Sequence, residues 1–158
     1  MSTLNDNSKG FSNLLKQGEF ISRIQYELKR AERYRIFLSL VVFNMGPVVD
    51  SAGNGSFTTD EKRSEFLREI KQVVKDAVRE IDAVSDTKMI KIGLLMPETS
   101  RQGAEAVAQR LTKELNDHIA DFFNKQNGFL IPVEISSFPD ASGARAISSF
   151  IEEFDLEE

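Results

Sequence analysis

Between positions 36 and 43 the chain reads Ile-Phe-Leu-Ser-Leu-Val-Val-Phe, seven apolar residues in eight. A strand with one wet face alternates apolar and polar side chains. This run does not alternate, and its shortness and β-branched content match a strand covered on both faces. Such a strand needs a layer of structure on each side. The flanking sequence supplies the layers as amphipathic helices.

Ahead of the run, Phe20, Ile21, Ile24, Leu28 and Ala31 recur at helical spacing, with Glu27, Lys29, Arg30, Glu32 and Arg33 on the other face. This predicts a helix over 20–34. After the run, positions 46–58 hold Gly46, Pro47, Gly53, Asn54, Gly55 and Ser56, and read as a loop. Thr58 or Thr59 then offers an N-cap, with Asp60 and Glu61 in the first turn where the helix dipole favours acids. The stripe Phe66, Leu67, Ile70, Val73, Val74, Ala77, Val78 and Ile81 predicts a second helix through 81. Two strands follow, 83–84 and 89–96, joined hairpin-fashion by Ser85-Asp86-Thr87-Lys88. A helix over 101–124, a strand over 129–135 and a helix over 144–154 complete the series. The order α-β-α-β-β-α-β-α predicts an α/β sandwich, a mixed central β-sheet flanked by helices.

The 158 residues suffice for one domain with a true core. The expected organisation is a flexible leader over 1–17, the domain over 18–154 and an acidic tail over 155–158. With no cysteine and one histidine, His118, the chain has no means to build a disulfide, a thiolate zinc site, an iron–sulfur cluster or a multi-histidine metal site. The net charge of −5 supplies no global attraction for nucleic acid or an acidic membrane. No apolar run approaches the roughly 20 residues that span a bilayer, and the polar N-terminus lacks the pattern of a secretory signal. The expectation is a cytoplasmic protein with neither membrane insertion nor nucleic-acid partner.

Several segments, taken in order, resemble one family. Arg79-Glu80-Ile81-Asp82-Ala83-Val84, then a strand ending Leu94-Leu95-Met96-Pro97-Glu98-Thr99, is similar to the signature stretch of GGDEF domains, the bacterial diguanylate cyclases. Upstream, Glu27-Leu28, Arg30-Ala31 and Arg33-Tyr34 followed by Leu38-Ser39-Leu40 resemble the family's opening helix and first strand. Downstream, residues 103–111 resemble its next helix. The resemblance implies the GGDEF, nucleotidyl cyclase-like sandwich. It also places the five signature positions on Lys88, Met89, Ile90, Lys91 and Ile92, and the first-strand metal positions on Asn44 and Gly46. At none of these does a carboxylate stand. The implication is a degenerate domain that is not an enzyme, with no catalytic residue, metal or cofactor.

The resemblance leaves one site in place. Arg79 and Asp82 match the R-x-x-D motif through which many members of the family bind cyclic di-GMP. Arg79 would fork onto phosphate or guanine, Asp82 would accept from guanine N1 and N2, and Lys71 and Lys75, at i−8 and i−4, would extend a cationic ridge. Against this, an Arg and an Asp three apart are often a plain local ion pair. Three functions therefore stand open: an inactive regulatory domain that receives cyclic di-GMP, a protein-interaction or homodimerisation module without a nucleotide, and a cyclase with a rebuilt site. His118 reads as a boundary residue, Tyr26 and Tyr34 as packing residues, and Ser39, Ser64 and Ser85 form no assignable triad.

Overall fold

In a computed structural model, the described residues are 13–51, 60–86, 90–123, 130–140 and 145–156. The chain forms β1 (Leu14–Leu15), α1 (Gln17–Tyr34), β2 (Leu38–Asn44), α2 (Gly46–Ser51), α3 (Asp60–Ala77), β3 (Ala83–Ser85), β4 (Lys91–Pro97), α4 (Arg101–Phe123), β5 (Val133–Phe138) and α5 (Ile147–Leu156). The five strands make one mixed sheet in the order β1-β3-β4-β2-β5. β2 is antiparallel to both β4 and β5, β3 is antiparallel to β4, and only β1 runs parallel to its neighbour.

The apolar run lies where its composition requires. Every residue of β2 from Leu38 to Phe43 is buried. The pleat sends Val41 and Phe43 to one face, where Val84, Ile92, Leu94 and Met96 meet Phe66, Ile70 and Val74 of α3 and Leu111, Leu115 and Ile119 of α4. Leu38, Leu40 and Val42 point to the other face, with Ala83 and Leu95, against Phe20 and Ile24 of α1 and Phe150 and Phe154 of α5. Each such Leu, Val or Phe contributes about 1.5–3 kcal/mol by leaving water.

Gly93 of β4 shows how tightly the second face is packed. A Cβ there would lie 2.9 Å from Phe154 and from Phe20. Those two rings meet edge to face over it, centroids 5.4 Å apart.

The structure differs from the sequence expectations at several points. The segment 46–58 is not wholly a loop: α2 occupies 46–51, and 52–59 lie outside the described residues. Pro47 falls in the first turn of α2, where a missing N–H costs nothing. Of the expected leader, 1–12 lie outside the described residues, while Leu14 and Leu15 pair with Val84 and Ser85 and α1 starts at Gln17. Helix α3 stops at Ala77 instead of 81, because Asp82 draws the Arg79 backbone into a turn. Strand β5 lies later than expected, its serines continuing the ladder to β2, where Ser137 Oγ sits 2.9 Å from Ser39 Oγ. The last helix reaches Leu156, with 157–158 outside the described residues. Tyr26 and Tyr34 are exposed rather than packed.

Candidate functional site

The turn from α3 to β3 is built by one carboxylate. Asp82 Oδ2 accepts the Arg79 backbone N–H at 2.9 Å and Nε at 3.2 Å, and Oδ1 accepts Nη2 at 2.8 Å. Asp82 is buried with its side chain 1% exposed, whereas the Arg79 side chain is 49% exposed. The same Nη2 reaches the Pro97 carbonyl at 3.0 Å and Thr99 Oγ1 at 2.7 Å. Hydrogen bonding to Asp82 raises the guanidinium above its ordinary range, against desolvation by burial, and the charges of Asp82 and Glu98 add to it. Nε and Nη2 are thus committed to protein acceptors, so Arg79 is a fixed cation with Nη1 as its remaining donor group.

It lines a groove of about 500 Å³ whose walls include Asp76, Asp82, Thr99, Gly103, Val107 and Arg110. Arg110 of α4 lines the same groove, its Nη2 on the Ala77 carbonyl at 3.1 Å and its Nε 3.9 Å from Glu114. Two arginines and two aspartates therefore line one opening, with Asp82 already paired to Arg79. The sequence reading missed Arg110 because its position on α4 looks like any solvated helix face. The expected cationic ridge does not extend as drawn. Lys71 is buried and its Nζ bonds Asp86 Oδ1 at 2.9 Å, while Lys75 is half-buried and does not border the groove.

The other positions singled out from the sequence converge on the opposite ends of the strands. Asn44, the last residue of β2, pairs across the ladder with Lys91, the first of β4. The Asn44 Oδ1 accepts the Gly46 N–H at 2.9 Å and so opens α2. Ile90 fills the space beside Gly46, where a Cβ would come within 3.1 Å of its Cδ1. Ile92 is buried in the core. The Lys91 ammonium is hydrogen-bonded to Glu153 of α5, whose other oxygen takes Arg145 Nη2 at 2.6 Å. Burial pushes the Glu153 carboxyl up, and the hydrogen bonds from Lys91 and Arg145 more than reverse this, holding it below its ordinary range. Lys88 and Met89 lie outside the described residues. Among the described residues no three Asp, Glu or His side chains gather into a possible metal site.

The fold recurs among solved structures. A diguanylate cyclase protein from Thermotoga maritima superposes with a TM-score of 0.63 at 14% identity, over 92% of this chain and 95% of that one. The chain has the GGDEF fold. The active GGEEF domain of a Vibrio cholerae diguanylate cyclase shares the fold at a TM-score of 0.61 and 17% identity, over 85% of this chain and 81% of that one. The GGDEF domain of DgcB from Caulobacter crescentus, solved in complex with c-di-GMP, gives 0.64 at 10% identity, over 92% and 83%. No family model and no curated protein matches the sequence.

Within a GGDEF fold the meeting of Asn44 with Lys91 has chemical meaning. Magnesium is a hard cation that takes carboxylate and phosphate oxygens. The side chains at Asn44, Ile90 and Lys91 supply one amide oxygen already in use, a methyl group and an ammonium. These residues do not fit a magnesium site. His118 lies away from both regions, its Nε2 3.7 Å from Glu69 of α3. Ser39 and Ser85 are committed to internal hydrogen bonds, with the Thr99 carbonyl and the Gly93 N–H.

Proposed function

We propose that this chain is a catalytically silent GGDEF-fold regulatory domain that receives cyclic di-GMP in the groove between Arg79 and Arg110. The observation that carries silence is the Asn44–Lys91 pair with Ile90 beside it. Two-metal phosphoryl transfer needs carboxylates to hold cations against phosphate oxygens, and an ammonium in that position repels them. The bordering arginines support the receptor half. A phosphate meets Nη1 of Arg79, and Arg110 in the same groove wall supplies further donors. Asp82 acts in this reading as a positioning residue. Its carboxylate already accepts three hydrogen bonds from Arg79, so its role is to aim the guanidinium rather than to receive guanine directly.

Isothermal calorimetry with cyclic di-GMP tests the receptor half. The expected result is saturable heat at ligand concentrations on the order of 100 µM or below, lost in Arg79→Ala and weakened in Arg110→Ala. No heat from the wild-type chain would remove the ligand and leave the interaction-module reading. That second reading draws on the exposed Tyr34, Phe37 and Ile81.

A further inference from the structure

Strand β5 ends the sheet order β1-β3-β4-β2-β5, and among the described residues no strand pairs with its outer side. The ladder fixes which groups face that way. The Asn44 N–H donates to the Pro132 carbonyl at 2.9 Å, so Glu134, Ser136 and Phe138 are the β5 residues whose backbone bonds β2. The N–H and C=O groups of Val133, Ile135 and Ser137 therefore point outward. Arg101 of α4 marks the same direction. Its Nη1 donates to the Ile135 carbonyl at 2.7 Å, and that oxygen keeps a second lone pair.

An open edge is a template for another strand, and proteins that refuse one blunt it with lysine, proline, a bulge or an inward charge. From Val133 to Phe138 the strand reads Val-Glu-Ile-Ser-Ser-Phe in unbroken one-to-one register with β2, and its one charged residue, Glu134, is exposed. None of those devices interrupts it. Beside the edge runs a groove of about 650 Å³, lined by Ala108, Gln109 and Thr112 of α4 and by Ile131, Val133 and Ile135. Glu105, the charged residue of its wall, is paired with Arg101 at 3.4 Å. A neutral groove offers a charged segment no partner.

What fits the edge is β5 itself. The outward residues are spaced evenly about Ile135, so a two-fold axis there sets Ile135 against its own copy and Val133 against Ser137. Every outward N–H then meets an outward C=O, and uncharged side chains face the groove. Charge agrees with this register. Glu134 falls opposite Ser136 of the second copy, not opposite another carboxylate. Ser136 Oγ holds the Arg145 carbonyl at 2.6 Å, and Arg145 Nη1 lies 3.5 Å from Glu134 of its own chain. Each Glu134 thus approaches the arginine of the other copy as well. We propose that β5 is a homodimerisation edge, through which two copies join antiparallel about Ile135 into one continuous sheet. Such a pairing uses the same patch on both copies and closes at two. The Arg79 groove meets α4 at Gly103, Val107 and Arg110, on the opposite side of the helix, so the inference does not depend on a nucleotide there.

Sedimentation equilibrium of the full chain tests it. The mass rises to twice that of one chain at concentrations on the order of 100 µM. Val133→Pro removes an outward N–H and no bond to β2, and keeps the chain monomeric. Because the chain has no cysteine, Ile135→Cys puts a single thiol on the axis. Mild oxidation joins two such copies, whereas Lys113→Cys on the exposed face of α4 does not crosslink at a comparable rate. Circular dichroism establishes that each variant is folded. A wild-type chain that stays monomeric, a dimer that Val133→Pro retains, or equal crosslinking by the two cysteines overturns the proposal. So does a mass that climbs past two copies, which assigns an open assembly. A monomeric chain that takes a synthetic valine–threonine strand peptide, with the binding lost in Val133→Pro, assigns the edge to a foreign segment and overturns it too.

Discussion

Asn44 and Lys91 stand opposite each other across the β2–β4 ladder, and each is committed to a partner inside the molecule: Asn44 to the Gly46 N–H, Lys91 to Glu153. Residues 47 positions apart in sequence thus meet, at positions where the resemblance to GGDEF domains leads one to expect acidic groups. What they hold instead is the molecule itself: the start of α2 and the end of α5.

Lys91 and Glu153 act as one unit. Lys91→Glu sets two carboxylates against each other at a partly buried site and lowers stability by about 1–3 kcal/mol. Adding Glu153→Lys to that variant restores part of the loss but not all, because the new lysine on α5 faces Arg145. Urea unfolding of the two variants and the wild type checks this. Additive effects of the two changes would show that the pair is not coupled.

The same carboxyl gives a pH signature. Glu153 is held below its ordinary value in the fold, so its contribution is present above the unfolded pKa of about 4.3. It is lost as pH falls through the lower folded value. Glu153→Gln is therefore less stable than wild type at pH 7, and the gap narrows as pH drops below about 4. Thermal melts from pH 7 to pH 3 measure it, and a gap that stays constant would contradict the assignment.

Gly93→Ala tests the packing of α1 and α5 over the sheet. With Phe20 and Phe154 each 2.9 Å from the added methyl, the rings must shift, at a cost of about 1–3 kcal/mol. Chemical denaturation should show the loss, with near-ultraviolet circular dichroism reporting movement of the aromatic pair.

Much of this was legible in the sequence because burial imposes a pattern. The unbroken run of β2 announced a two-faced strand, and the stripe from Phe66 to Val74 announced the helix under it. The Arg79–Asp82 spacing left a ligand site and a local ion pair both open, and the fold makes the ion pair. What stayed hidden depends on contacts between distant segments. Lys71 lies on a face that reads as solvated, yet Asp86 across the turn draws it inward. Gly46-Pro47 reads as a break, and the helix behind it is anchored by burial of Met45 and Val48. Arg110 and Glu153 carry no local signal at all. Their partners, Ala77 and Lys91, are 33 and 62 residues away.

The proposed silence rests on Asn44, Ile90 and Lys91, which offer magnesium no carboxylate for phosphoryl transfer. Incubating the purified chain at high concentration with GTP and magnesium, then with manganese, and resolving the nucleotides by chromatography tests it most directly. The expected result is unchanged GTP and no cyclic di-GMP. Formation of cyclic di-GMP in proportion to protein concentration would contradict it.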